Sequence, residues 1–243
     1  MKQRLHQTPT LQTCKTYKAL HTQTSQQAGL LNITYYTDPL CCWSWAFEPE
    51  RQKLIREFKN TVAWRICMGG LLPGWKNYHD AVNSISKPLQ MGPMWMHAAQ
   101  LTGADIQHDI WAKDPPASSY PACIAVKTAQ LQSARAGEKY FRLLQTACMA
   151  QGRNIAKLPV LLDVATLLSQ DKTLEFDVEI FKNDITGPSG REAFRKDLEE
   201  VNYYGIHRFP ALVIKDRSSH ARLITGYREF ETVEEIIRDL LIS

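Results

Sequence analysis

Two adjacent cysteines followed by a serine, in "TDPLCCWSW" from Thr37 to Trp45, form the segment of this chain best equipped for covalent chemistry. A cysteine at the start of a helix faces unpaired backbone N–H groups and the positive end of the helix dipole. Both favour thiolate over thiol and can draw a cysteine pKa from about 8.5 into the range of roughly 3.5 to 7.5. Cys41 holds that place if a helix begins here. Cys42 is a poor disulfide partner for it, because neighbouring α-carbons lie about 3.8 Å apart across a trans peptide, short of the usual disulfide span of about 4.4 to 6.8 Å. Such a bond would be strained, so Cys42 is expected at most as a transient redox partner and otherwise as a small side chain packed under the helix. Ser44 cannot attack a mixed disulfide, but its hydroxyl can donate a hydrogen bond to a Cys41 thiolate.

No other cluster competes. Cys67 falls in a strand pattern and Cys123 and Cys148 in helix patterns, none in a C-x-x-C pair, and the seven histidines show no ligand spacing, so no metal site is expected. With Cys14, the six cysteines do not make the dense framework of a small secreted protein, and they read as mostly reduced. Met91, Met94, Trp95 and Met96 read as core or interdomain packing.

The 243 residues are 44% hydrophobic, enough for a real core, and carry a net charge of +4. That excess comes largely from Lys2, Arg4, Lys15 and Lys18 in an acid-free stretch ending at Thr37, so nucleic-acid binding is poorly supported. No run of about 18 apolar residues exists, and the N-terminus lacks the apolar core of a secretory signal, so no membrane association and a soluble, cytoplasmic protein are expected. Residues 1–30 read as a disordered extension, with a transit peptide as the alternative.

These residues need a scaffold, and the chain suggests one. "LNITYYT" (31–37) predicts a buried strand stopped by Asp38-Pro39. A helix follows with Asp38 as candidate cap, Phe47, Leu54, Ile55 and Phe58 at near-helical spacing and Pro49 as a kink. "TVAWRICMGGLLPG" is a second strand, completing a βαβ unit. From Trp75 to about Ser169 only helix patterns appear. One is capped at Ser119, with Pro121 in its first turn and good helix formers from Ala122 through Ala134. "EKYFRLLQTACMAQGRN" and "LPVLLDVATLLSQ" follow it. The end reads as a helix stopped at Gly205, strands "FPALVIKD" and "ARLITGY", and a last helix with a Thr232 to Glu235 capping box. The expected fold class is α/β, with 31–75 plus 191–243 forming one domain and a helical domain, 76–190, inserted between its halves.

A cysteine just after the first strand and a proline opening a later strand, interrupted by helices, resemble the thioredoxin superfamily and its DsbA-like branch. Asp38-Pro39-Leu40-Cys41-Cys42-Trp43-Ser44-Trp45 looks like the "DP-x-C-x-W-C-Y/W" site of FrnE-like members. Arg208 to Ile214 looks like their cis-proline strand, and "SSYPACIAVKTAQLQ" like the inserted helix of bacterial Spx-degradation adaptors. The resemblance implies a thioredoxin-like fold over residues 31–243, Cys41 as nucleophile, Ser44 in place of the resolving cysteine, and Pro210 as a cis-proline facing the sulfur. It also implies Trp43, Trp45 and Phe209 as an apolar rim for substrate.

The expected function is therefore thiol–disulfide exchange or isomerisation through a single nucleophilic cysteine, a monothiol variant. Its partners would be protein or peptide thiols and disulfides, or a small thiol. No cofactor is expected, with glutathione as a candidate co-substrate. Two other readings stand beside it: a non-enzymatic adaptor using the domain as a binding surface, and a glutathione-dependent transferase or isomerase similar to the kappa class, whose Ser-Pro pattern is absent here. The oligomeric state stays open.

Overall fold

The structure, a computed structural model, describes residues 30–242 apart from 77 and 219. The readings of residues 1–29, including Cys14, lie outside it. The element order begins with β1 (Leu31–Thr37), α1 (Cys42–Glu57) and β2 (Val62–Met68). Helices α2 (Met91–Thr102), α3 (Ile110–Lys113), α4 (Tyr120–Gln132), α5 (Ala134–Gln145), α6 (Leu158–Leu168), α7 (Val178–Asp184) and α8 (Pro188–Tyr203) come next. The chain then closes with β3 (Ala211–Lys215), β4 (Ala221–Thr225) and α9 (Phe230–Ile242).

The four strands form one sheet in the order β2-β1-β3-β4. Strand β1 pairs parallel with β2 from Leu31↔Val62 to Thr37↔Met68, which requires the crossover helix α1, and antiparallel with β3 from Asn32↔Lys215 to Tyr36↔Ala211. Strand β1 is central, so its end presents Asp38 to Cys41 where three strands and two loops converge. Its alternation sorts two cores. Leu31, Ile33 and Tyr35 pack with Phe47, Leu54 and Phe58 on one face, while Tyr36 joins Cys67, Val201, Ile206 and Val213 on the other. Among the described residues no strand lies between β2 and β3, and only an isolated bridge, Asp80↔Ile85, interrupts the helical stretch.

Helix α1 is pinned to α5 by a buried guanidinium. Arg51 donates to both oxygens of Glu48 (2.8 and 3.0 Å), pairs with Glu138 of α5, and lies 5.0 Å above the Tyr35 ring. Breaking one partner of a buried pair of this kind costs on the order of 3–5 kcal/mol. Perpendicular indole contacts, Trp75 to Trp111 at 5.9 Å and Trp95 to Trp111 at 5.1 Å, tie α2 and α3 together.

Four local expectations are corrected. Asp38 does not cap α1. The N-cap is Cys41, and the Asp38 carboxylate turns inward instead. The run from Ala122 to Ala134 is not one helix: Ser133 is extended (φ −158°, ψ 150°), and its Oγ accepts from the Ala136 amide to start α5. Ser119 occupies the cap position of α4, but its hydroxyl is committed to Asp38 and to the Leu72 amide. Helix α9 begins at Phe230, so Thr232 lies inside its first turn and cannot cap it. For Asp38 and Ser119 a tertiary partner outcompetes the local signal.

Candidate functional site

Cys41 sits at the N-cap of α1 with φ −89° and ψ 110°. Its amide donates to the Asp38 carbonyl (3.0 Å), and its carbonyl accepts the first helical bond from Trp45 (3.1 Å). The sulfur faces β3 across the fold, where the thiol donates to the Phe209 carbonyl at 3.5 Å, and the Phe209–Pro210 peptide bond is cis. The structure therefore brings Cys41, Ser44, Phe209 and Pro210 to one place, from stretches far apart in sequence.

Cys41 is only 4% exposed. Burial pushes its thiol up to about 11, while the Ser44 hydroxyl and the Ser44 and Trp43 amides pull downward and Asp38 pulls upward. This corrects the expectation of a depressed pKa: the amides at the helix start are present, but desolvation outweighs them in this closed arrangement. Ser44 is fully buried. Its Oγ has no regular hydrogen-bond partner, and its carbonyl accepts from the Tyr35 hydroxyl at 3.3 Å. The serine hydroxyl is thus held close to the sulfur with a proton free to offer.

Cys42 points into the main core and its thiol is pushed well up by burial and by the neighbouring Cys41 sulfur. Trp43 is half-buried, edge-on to His97 at 5.9 Å and tilted to Tyr227 at 6.5 Å. Trp45 hydrogen-bonds the Asp105 carbonyl at 2.9 Å and lines a cavity between α1 and α5 that includes neither Cys41 nor Phe209. The half-buried Phe209 ring packs directly on the α-carbon of Gly69, where any β-carbon would collide with it. Glycine at 69 therefore seats the ring whose carbonyl meets the sulfur.

Asp38 is the functional residue that the cap reading missed. Its fully buried carboxylate accepts from the Leu40 amide (2.8 Å), the Leu71 amide (2.7 Å), the Ser119 hydroxyl (2.8 Å) and the Cys123 thiol (3.3 Å). Burial raises its pKa and those four donors oppose the rise. One side chain thus joins the β1 end, the loop after β2 and the start of α4 beneath Cys41. Burial pushes the Tyr78 phenol up to about 12, with Asp80 and Cys41 adding to the rise. The only signal for Asp38 was its place before Pro39. Among the described residues no group of three or more His, Cys, Asp or Glu side chains could hold a metal ion, and no helix is long and apolar enough to cross a membrane.

A family profile described as Thioredoxin matches residues 35–235, and the chain belongs to that family. The fold is the DsbA-like form of it, with helices set between the second and third strands. Among curated relatives, the ClpXP adapter protein SpxH of Halalkalibacterium halodurans is 26% identical over 213 residues, covering 87% of this chain and 68% of that protein. SpxH of Bacillus subtilis is 26% identical over 215 residues, covering 87% and 68%. Among solved structures, the cytosolic disulfide reductase DsbM from Pseudomonas aeruginosa superposes with a TM-score of 0.66 at 20% identity, covering 87% of this chain and 100% of that one. DsbM has also been solved with GSH, and in that form it superposes with a TM-score of 0.62 at 22% identity over 87% of this chain and 100% of that one.

Proposed function

We propose that this protein carries out thiol–disulfide exchange through Cys41 alone, in the cytoplasm, with an external thiol completing each cycle. The observation that carries the reading is the meeting of the Cys41 sulfur, at the start of α1, with the Phe209 carbonyl before Pro210, while Ser44 occupies the position from which a second sulfur would act. In the forward step the Cys41 thiol loses its proton to solvent base, its sulfur attacks a partner disulfide, one Cys41–S–S–partner bond forms, and the displaced sulfur leaves as thiolate. Ser44 supplies a hydrogen bond to the Cys41 sulfur, not an electron pair, so the adduct is released only when an outside thiolate attacks it. Trp43 and Phe209 form the apolar side of the partner surface, and Pro210 follows the carbonyl that meets the sulfur. A small thiol such as glutathione fits the releasing step, and DsbM solved with GSH lends support.

The test is incubation with oxidised glutathione at pH 9 to 10, followed by intact mass spectrometry. One glutathione adduct at Cys41 should form, persist after removal of free thiol, and disappear on adding reduced glutathione. Ser44→Cys should shorten the adduct's life, because residues three apart on the first helical turn come within disulfide reach. An adduct that resolves by itself in the unaltered protein, and persists in Cys42→Ala, would show that Cys42 is the resolving sulfur.

A second reading, a non-enzymatic adaptor, is favoured by one observation: the sulfur is closed off and held as a thiol. The SpxH relatives support it too. It gains if no adduct forms at any pH that leaves the fold intact.

A further inference from the structure

The cavity beside Trp45 has a volume of about 490 Å³, within the range of ligand sites. Trp45, Pro49, Ala104 and Leu143 make its apolar wall, and the indole is fixed in place by its bond to the Asp105 carbonyl. Lys139 and Arg142, nearly one turn apart on α5 beside Leu143, complete the lining on that helix. Lys139 is ion-paired with Asp171. The half-buried Arg142 guanidinium has no ion pair or hydrogen bond with any described residue, although its carbonyl accepts from Thr146. Glu48, also on the lining, has both oxygens taken up by Arg51 (2.8 and 3.0 Å) and Gln52 (2.8 Å) and makes no bond to Arg142. The exposed Asp105 contributes its carbonyl, and its carboxylate makes no bond to Arg142.

An apolar slot with one uncommitted planar cation suits a group that is apolar at one end and anionic at the other. We propose that this cavity binds a peptide segment of a partner protein in which a bulky apolar side chain adjoins an acidic residue, the side chain lying against Trp45 and Leu143 and the carboxylate on Arg142. The site itself follows from geometry and does not require Cys41 to react. The choice of a peptide over a free carboxylate rests on the exchange reading, whose partners are protein thiols and disulfides: Trp45 is four residues along the helix from Cys41, about 6 Å along its axis, so a partner chain engaged at the sulfur has this cavity within reach. A compact small molecule gains nothing from that proximity.

Calorimetric titration of the full chain tests this with acetyl-Ala-Glu-Phe-Ala-amide, its Gln-for-Glu counterpart, and phenylacetate as a free carboxylate. The Glu peptide should saturate the protein. The Gln peptide, and the Arg142→Gln protein with the Glu peptide, should bind about tenfold more weakly, the scale of losing a charge-assisted pair. Arg142→Lys should recover part of that loss. Leu143→Trp, which fills the slot, should abolish binding, and Cys41→Ala should leave it unchanged. Equal affinity for the two peptides, full affinity in Arg142→Gln, or no saturation at millimolar peptide would overturn the proposal. Phenylacetate binding as tightly as the Glu peptide would overturn the peptide assignment. Peptide binding without any glutathione adduct would sink only the exchange reading.

Discussion

Two buried cysteines, Cys41 at the end of β1 and Cys67 within β2, stand beside buried carboxylates, yet their surroundings differ. At the β1 end, the amides of Trp43 and Ser44 and the Ser44 hydroxyl favour the Cys41 thiolate. Across the sheet, the Cys67 thiol donates to the Asp197 carbonyl at 3.6 Å, and the leading pulls toward its thiolate come from charges, not from a helix start. Burial, Asp197 and Glu200 push it well up, against weaker pulls from Arg65 and Lys127. Both thiols are desolvated, but only one has donors waiting to receive a negative sulfur. Proximity to charge does not make a cysteine reactive, whereas oriented donors at a helix start can.

The carboxylates differ in the same sense. Asp38 is met by two amides, a hydroxyl and a thiol, all internal. Asp197 accepts from the Met68 amide (2.7 Å) and from Lys127 (3.0 Å), whose amine is 12% exposed and can turn to water. Asp38→Ala is therefore expected to destabilise the protein most, by about 3 kcal/mol or more, since each stranded buried donor costs about 1–3 kcal/mol. Asp197→Ala should cost less, about 2 kcal/mol. Urea unfolding of both variants checks the order, and the reverse order would break the contrast between the two carboxylates.

Reactivity sharpens the contrast between the sulfurs. Iodoacetamide labelling of the native protein, read by peptide mass spectrometry, should modify Cys41 more than tenfold faster than Cys67, Cys123 or Cys148. Equal rates would remove the distinction. The Cys41 rate should still be climbing above pH 9 and level off only near 11, in keeping with a thiol pushed up to about 11, while a free cysteine levels near pH 8.5. The sign for stability is opposite: a thiol whose folded pKa is raised stabilises the fold below its unfolded pKa, and that contribution fades as pH rises through about 9 to 11. The smallest effect belongs to Ser133→Ala, which removes the one hydroxyl starting α5 and should cost about 1 kcal/mol.

Much of this was readable from residue types alone. The short apolar and β-branched run "LNITYYT" marks β1, the proline before "ALVIK" marks the start of β3, and Ser119 with Pro121 marks where α4 begins, because these signals act within a few residues. That Ser44 stands in place of a second sulfur was implied only by the resemblance of the motif. The state of the sulfur was not readable, since its burial depends on Phe209, 168 residues away, and Asp38 meets Leu71, Ser119 and Cys123 at separations of 33, 81 and 85. Local rules assigned Asp38 to a cap and Ser119 to another, and the fold joined them to each other. Trp45 shows the same limit: position in the motif suggested the sulfur rim, and packing turned its indole toward α5.

The seat of Phe209 on Gly69 has an evolutionary reading. Because the ring fills the space a side chain at 69 would need, position 69 is not free to grow while 209 keeps its ring. Among descendants of this sequence, a residue larger than glycine at 69 should survive only where 209 has already become smaller, so the two sites should drift as a linked pair. Selection on a library randomised at both would reveal that dependence as a missing quadrant, in which two large side chains never occur together.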